Sequence, residues 1–132
     1  MTQEENKRLA LATWESLRRG DVKAAFVNMR DDITWRIPGK LAPVSGLKRG
    51  KEEILDFLRW AARTFPSGFQ TEVKGVYADG RTVVLELENR STAANGRAYE
   101  NEYCFVFEMD GGKISAVREY VDTQKVDAIL NR

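Results

Sequence analysis

Residues 96–122 read GRAYENEYCFVFEMDGGKISAVREYVD, two alternating runs joined at Asp110-Gly111-Gly112, a hairpin signal. Successive side chains of a strand point to opposite faces, so Tyr99, Asn101, Tyr103, Phe105 and Phe107 share one face of the first run. Val117, Glu119 and Val121 share one face of the second. These apolar faces must point inward, yet they also carry amide, hydroxyl and carboxyl groups. Buried polar groups need partners or a wet space beside them, so the pattern predicts a pocket within the core.

Upstream, Asp79-Gly80 and Asn95-Gly96 are two further hairpin signals flanked by alternating residues, which predicts an antiparallel meander of four strands. The middle pair, 81–94 and 97–109, would each extend roughly 40 Å at about 3.3 Å per residue. Strands of that length must bend. On the first of them Val83, Leu85, Leu87 and Asn89 face inward. The opposite face gathers Glu86, Glu88, Arg90, Glu100, Glu102, Arg118 and Tyr120, and is solvated, ion-paired across strands, or covered by a second subunit.

The N-terminal half has helical period. Thr2 and Glu5 form a capping-box pattern ahead of a helix at 3–19 that Gly20 stops. Asp21 caps a short helix whose Val22, Ala25, Phe26 and Met29 make one apolar stripe. Ile33, Trp35 and Ile37 then alternate as a strand ended by Pro38-Gly39, and 39–50 reads as a loop. Ile54, Phe57, Leu58, Ala61 and Phe65 mark a third helix, broken at Pro66 and Gly68, and Asp122 caps a last short one running to Leu130. Helices preceding a curved antiparallel sheet predict an α+β fold, a single domain over 1–132, with three N-terminal helices covering the concave face.

Composition narrows the chemistry. The 21 basic and 20 acidic residues leave a net charge of +1 and are interspersed, so no nucleic-acid footprint is expected. The densest basic clusters, Arg18-Arg19 and Lys48-Arg49-Gly50-Lys51, read as solvated helix ends or loops. No apolar run reaches membrane-spanning length and the N-terminus lacks a signal-like apolar core, so the expectation is a cytoplasmic protein with no membrane partner. The single cysteine, Cys104, excludes an internal disulfide and reads as a small buried apolar residue. With no histidine, the commonest metal ligand and general base is missing. No metal site or cofactor is implied, and any chemistry falls to carboxylates, tyrosines, lysines or water.

The order helix, helix, strand, helix, meander, with YENEYCFVF and GKISAVREYVD, resembles the nuclear transport factor 2-like superfamily, and within it SnoaL-like proteins, ketosteroid isomerases and limonene epoxide hydrolases. The resemblance spans nearly the whole chain. It implies a cone-shaped roll, also called cystatin-like, with a deep apolar pocket and a homodimer formed through the sheet. Fold likeness predicts a pocket better than a reaction. Ketosteroid isomerases place a carboxylate base before a proline at the end of the first strand; here Ile37 holds that place before Pro38, and Tyr103 falls near the family's aspartic donor. Limonene epoxide hydrolases use an arginine, an aspartate and a last-strand aspartate, for which this chain offers Leu87, Asn89 and Glu119.

Glu119, Tyr103 and Asn101 remain as candidate catalytic residues. A carboxyl among aromatics has its pKa raised toward neutrality, and hydroxyl and amide groups can hold a developing oxyanion. Trp35, Asn89, Leu87, Phe105, Val117, Val121 and Phe57 are candidate ligand-binding residues. The expected ligand is a small apolar or aromatic molecule, and the expected reaction acid/base chemistry of isomerase, cyclase or hydrolase type on a carbonyl-containing or polycyclic substrate. The alternative is a non-catalytic ligand-binding or dimeric scaffold protein. In that reading Glu119 pairs with Asn101 or Tyr103 in a structural network, and Asn89 fits such a role better than a functional one. Trp35 suits core and pocket lining equally.

Overall fold

Helix α1 (Gln3–Arg18) begins at the capping box: in the computed structural model, which describes residues 1–130, Thr2 Oγ1 accepts from Glu5 N and Glu5 Oε1 from Thr2 N, both at 3.1 Å. Asp21 accepts from Ala24 N to start α2 (Val22–Val27). Strand β1 (Met29–Ile37) follows, then β2 (Gly46–Arg49), helix α3 (Gly50–Thr64), and strands β3 (Gln70–Asp79), β4 (Thr82–Thr92), β5 (Ala98–Asp110) and β6 (Lys113–Val121). Asp122 accepts from Gln124 N and opens α4 (Thr123–Ile129). Among the described residues no helix is long and apolar enough to cross a membrane.

The sheet is curved and unclosed, in the order β2-β1-β6-β5-β4-β3. The three hairpin signals join β3 to β6 as an antiparallel meander, and β1 adds to it parallel to β6, with Trp35 opposite Val117. Register shifts at Val73/Gly75 and Glu108/Met109 mark bulges that help bend long strands. Gly75 lies at the first of these, with the exposed Tyr77 side chain folded over it.

The inward faces follow the alternation. Val83, Leu85, Leu87, Phe105, Phe107 and Val117 are buried, each full burial contributing about 1.5–3 kcal/mol. Helix α1 packs on β3 and β4, α3 on β1 and β2, and α4 on β5. The outer face is partly ion-paired, Arg118 lying 3.3 Å from Glu108 across the β5–β6 pair, and its Tyr77 and Tyr120 are exposed.

Four expectations need correction. The stretch 39–50 is not all loop, because residues 46–49 pair with β1 as a sixth strand, Lys48 opposite Trp35. Lys48 is therefore not solvated: it is 8 % exposed while its neighbour Leu47 is 43 % exposed, the reverse of what hydropathy suggests. Cys104 lies on the outer face and is only half-buried. The strand containing Trp35 also starts earlier than its alternation indicates, at Met29.

Candidate functional site

A cavity of about 200 Å³ lies between the concave face of β5 and β6 and the helices above it. Its floor includes Phe105, Tyr103 and Glu119, its walls Trp35 and Phe57, and Val126 of α4 closes one side. At the other side Arg19, Gly20, Pro66 and Ser67 line it and are exposed, so this is its mouth. That mouth is built tightly. Phe69 N donates to Arg18 O at 3.0 Å, and Arg18 Nη1 donates to Phe69 O while its other nitrogens bind Glu15. Gly68 sits here with φ +70°, where a Cβ would meet Arg18 O at 2.3 Å.

The interior is mostly aromatic. Trp35 meets Phe105 edge-on with centroids 6.2 Å apart and Phe57 at 6.0 Å, while Trp14 packs on Phe105 at 4.9 Å. Trp14 and Trp60 also line the cavity.

Into this apolar space projects one carboxyl. Glu119 is 6 % exposed and its Oε1 accepts from Trp35 Nε1 at 3.0 Å. Burial pushes its pKa up from the usual 4.5 to about 7, against the downward pulls of the Trp35 hydrogen bond and the Lys48 ammonium. Near neutral pH the group can therefore both give and take a proton.

Beside it lies a donor chain. Asn101 Nδ2 donates to Tyr99 Oη at 2.8 Å, and the Tyr99 and Tyr103 hydroxyls are 2.6 Å apart. Asn101 is itself fixed by Asp122 O and Glu102 N. Burial pushes the Tyr99 pKa up to about 12 and the Tyr103 pKa well above its usual value, so both stay neutral. When Tyr99 donates to Tyr103, the Tyr103 proton is free to point at an acceptor in the cavity.

Of the candidate residues, Glu119, Tyr103, Trp35, Phe105, Val121 and Phe57 surround the cavity together. Asn101 reaches it only through the tyrosines. Leu87 and Val117 are buried in the core and Asn89 is fully buried, its Oδ1 accepting from Thr71 at 2.7 Å; none of the three lines the cavity. Two residues were missed. Tyr99 carried a signal, being two residues before Asn101 on the same face. Lys48 carried none, because its inward orientation comes from the β1–β2 register. Among the described residues no group of three or more Cys, Asp or Glu side chains is placed to hold a metal ion.

The family model of the SnoaL-like domain matches residues 10–117, most of the chain. The chain belongs to the SnoaL-like family. Among curated proteins no significant match is found. Three solved structures share the SnoaL-like chain's fold. An NTF2-like protein of unknown function from Burkholderia pseudomallei superposes with a TM-score of 0.88 at 20% identity, over 100% of both chains. An NTF2-like protein from Anabaena variabilis gives 0.80 at 25% identity, over 92% of this chain and 93% of that one. TerC, co-crystallised with polyporic acid, gives 0.84 at 20% identity, over 95% and 97%. The SnoaL-like match ends two residues before Glu119, so the case for that carboxyl rests on its surroundings.

Proposed function

We propose that this SnoaL-like domain is an enzyme that moves a proton on a small, largely apolar carbonyl compound held in the cavity. The observation that carries the reading is Glu119, a buried carboxyl with a near-neutral pKa facing an aromatic cavity. In this reading the ionised carboxylate takes a proton from the carbon next to the carbonyl, and the electron pair moves onto the carbonyl oxygen. Tyr103 donates to that oxygen, backed by Tyr99 and Asn101, and protonated Glu119 then returns the proton to a different atom of the conjugated system. The volume supports a ligand whose enclosed part is one or two rings, since a cavity of about 150 Å³ already holds benzene. The co-crystal of TerC with polyporic acid supports a pocket of this fold taking small molecules. We further propose that the outer face bearing Tyr77 and Tyr120 is covered by a second copy, which light scattering on the purified protein would test.

The test is deuterium exchange at the carbon next to the carbonyl in one- and two-ring aryl ketones such as 1-tetralone, followed by NMR in deuterium oxide. The wild-type protein should accelerate exchange, and Glu119→Gln should abolish it while the ketone still raises the melting temperature. Exchange at the wild-type rate in Glu119→Gln would refute the role of Glu119. Stabilisation by the ketone without exchange in the wild type would mean a binding protein.

A further inference from the structure

Lys48 is a buried cation that neither the family match nor any hydrophobic pattern assigns to the site. Lysine is almost never buried without a partner, and this one is 8 % exposed. Its ammonium donates to Val44 O and lies 4.5 Å from the centre of the Phe57 ring. Val44 and Phe57 are both cavity-lining residues. In the sheet, Lys48 is opposite Trp35, and the Trp35 indole reaches the other way to hold Glu119 Oε1. Lys48, Trp35 and Glu119 thus follow one another across β2, β1 and β6, with no ion pair closed between Lys48 and Glu119.

We propose that Lys48 is a positioning residue for Glu119: its ammonium, held over Phe57 on the far side of Trp35, biases the carboxyl toward its ionised, base-competent form. The two groups feel each other in both directions. Lys48 pulls the Glu119 pKa down, and Glu119 pulls the Lys48 pKa up against a larger lowering by burial. Other groups around the cavity act less directly. Tyr99 and Tyr103 on β5 stay neutral, Arg18 at the end of α1 is neutralised by Glu15, Arg19 is exposed at the mouth, and Asp122 lies beyond the end of β6. From α3 and α4 the cavity receives apolar side chains. Lys48 is therefore the one buried cation acting on Glu119 among the described residues.

The inference deepens the proposed function and rests on it for its catalytic consequence, so it is tested without substrate. The Trp35 indole N–H donates to Glu119, and its NMR resonance, assigned by its loss in Trp35→Phe, reports the carboxyl's titration. In Lys48→Met the midpoint should rise by about one pH unit, the scale of a nearby opposite charge; in Lys48→Arg, which keeps the charge, it should stay near the wild-type value. An unchanged midpoint in folded Lys48→Met would overturn the proposal and leave Lys48 as a packing residue. Should that variant not fold, the reciprocal experiment decides. The Lys48 side chain, followed by carbon NMR, should titrate at lower pH in Glu119→Gln than in the wild type, and an equal midpoint would overturn it. A shift in the Trp35 titration alongside full activity of Glu119→Gln would sink the proposed function but not this inference.

Discussion

Replacing Glu119 by Gln should make the protein more stable at alkaline pH, and the size of the gain follows from the burial of one carboxyl. Its pKa is about 7 in the folded chain against an ordinary 4.5, so the folded state holds the proton more tightly. Below pH 4.5 both states are protonated and the group is neutral in its effect. Between pH 4.5 and 7 the unfolded chain releases the proton first, and stability falls as pH rises. Above pH 7 the native state carries a buried charge, at a cost of about 3 kcal/mol at 1.36 kcal/mol per unit. Glutamine keeps an oxygen for the Trp35 indole but cannot ionise. Urea unfolding of both proteins from pH 4.5 to 8.5 should therefore show a stability difference that grows in favour of Glu119→Gln by about 3 kcal/mol. Contributions from carboxyls common to both proteins cancel in that difference. A difference that stays flat across the range would refute the claim that Glu119 is buried and perturbed.

Gly68→Ala combines a left-handed backbone with a Cβ 2.3 Å from Arg18 O, so it should lower stability by about 2 kcal/mol or more, read from the urea midpoint. Tyr103→Phe removes the hydroxyl proposed to meet the substrate oxygen, and should slow ketone exchange by about 100-fold with little change in ketone affinity. Trp35→Phe removes the strongest influence holding the Glu119 pKa down; the pH profile of exchange should move to higher pH, and an unmoved profile would contradict the hydrogen bond's role.

The fold was legible because its signals are local. The Thr2–Glu5 box, the Asp21 and Asp122 caps and the three glycine turns are each decided by a few neighbouring residues, and alternation then assigns the inward faces of the long strands. β2 was not legible: four residues, GLKR, with the hydrophobic one exposed and the lysine buried, become a strand only because β1 is beside them. The site was half legible for a related reason. Periodicity says that Asn89, Leu87 and Val117 face inward but not how far along the curve the covering helices stand away from the sheet, and the cavity opens only there, around Glu119, Tyr103 and Trp35.

The parallel pairing of β1 with β6 has a consequence for how the site is made. Trp35 and Glu119 are 84 positions apart, and the hydrogen bond between them cannot form until β6 has been made and has found β1. The β3–β6 meander joins by successive hairpins, and β1 pairs early with the neighbouring β2, but its other edge waits for β6. Closing such a long loop is entropically slow. The Trp35–Glu119 pair is thus a late, non-local contact, and a chain cut short before β6 would lack Glu119 and would leave one edge of β1 unpaired.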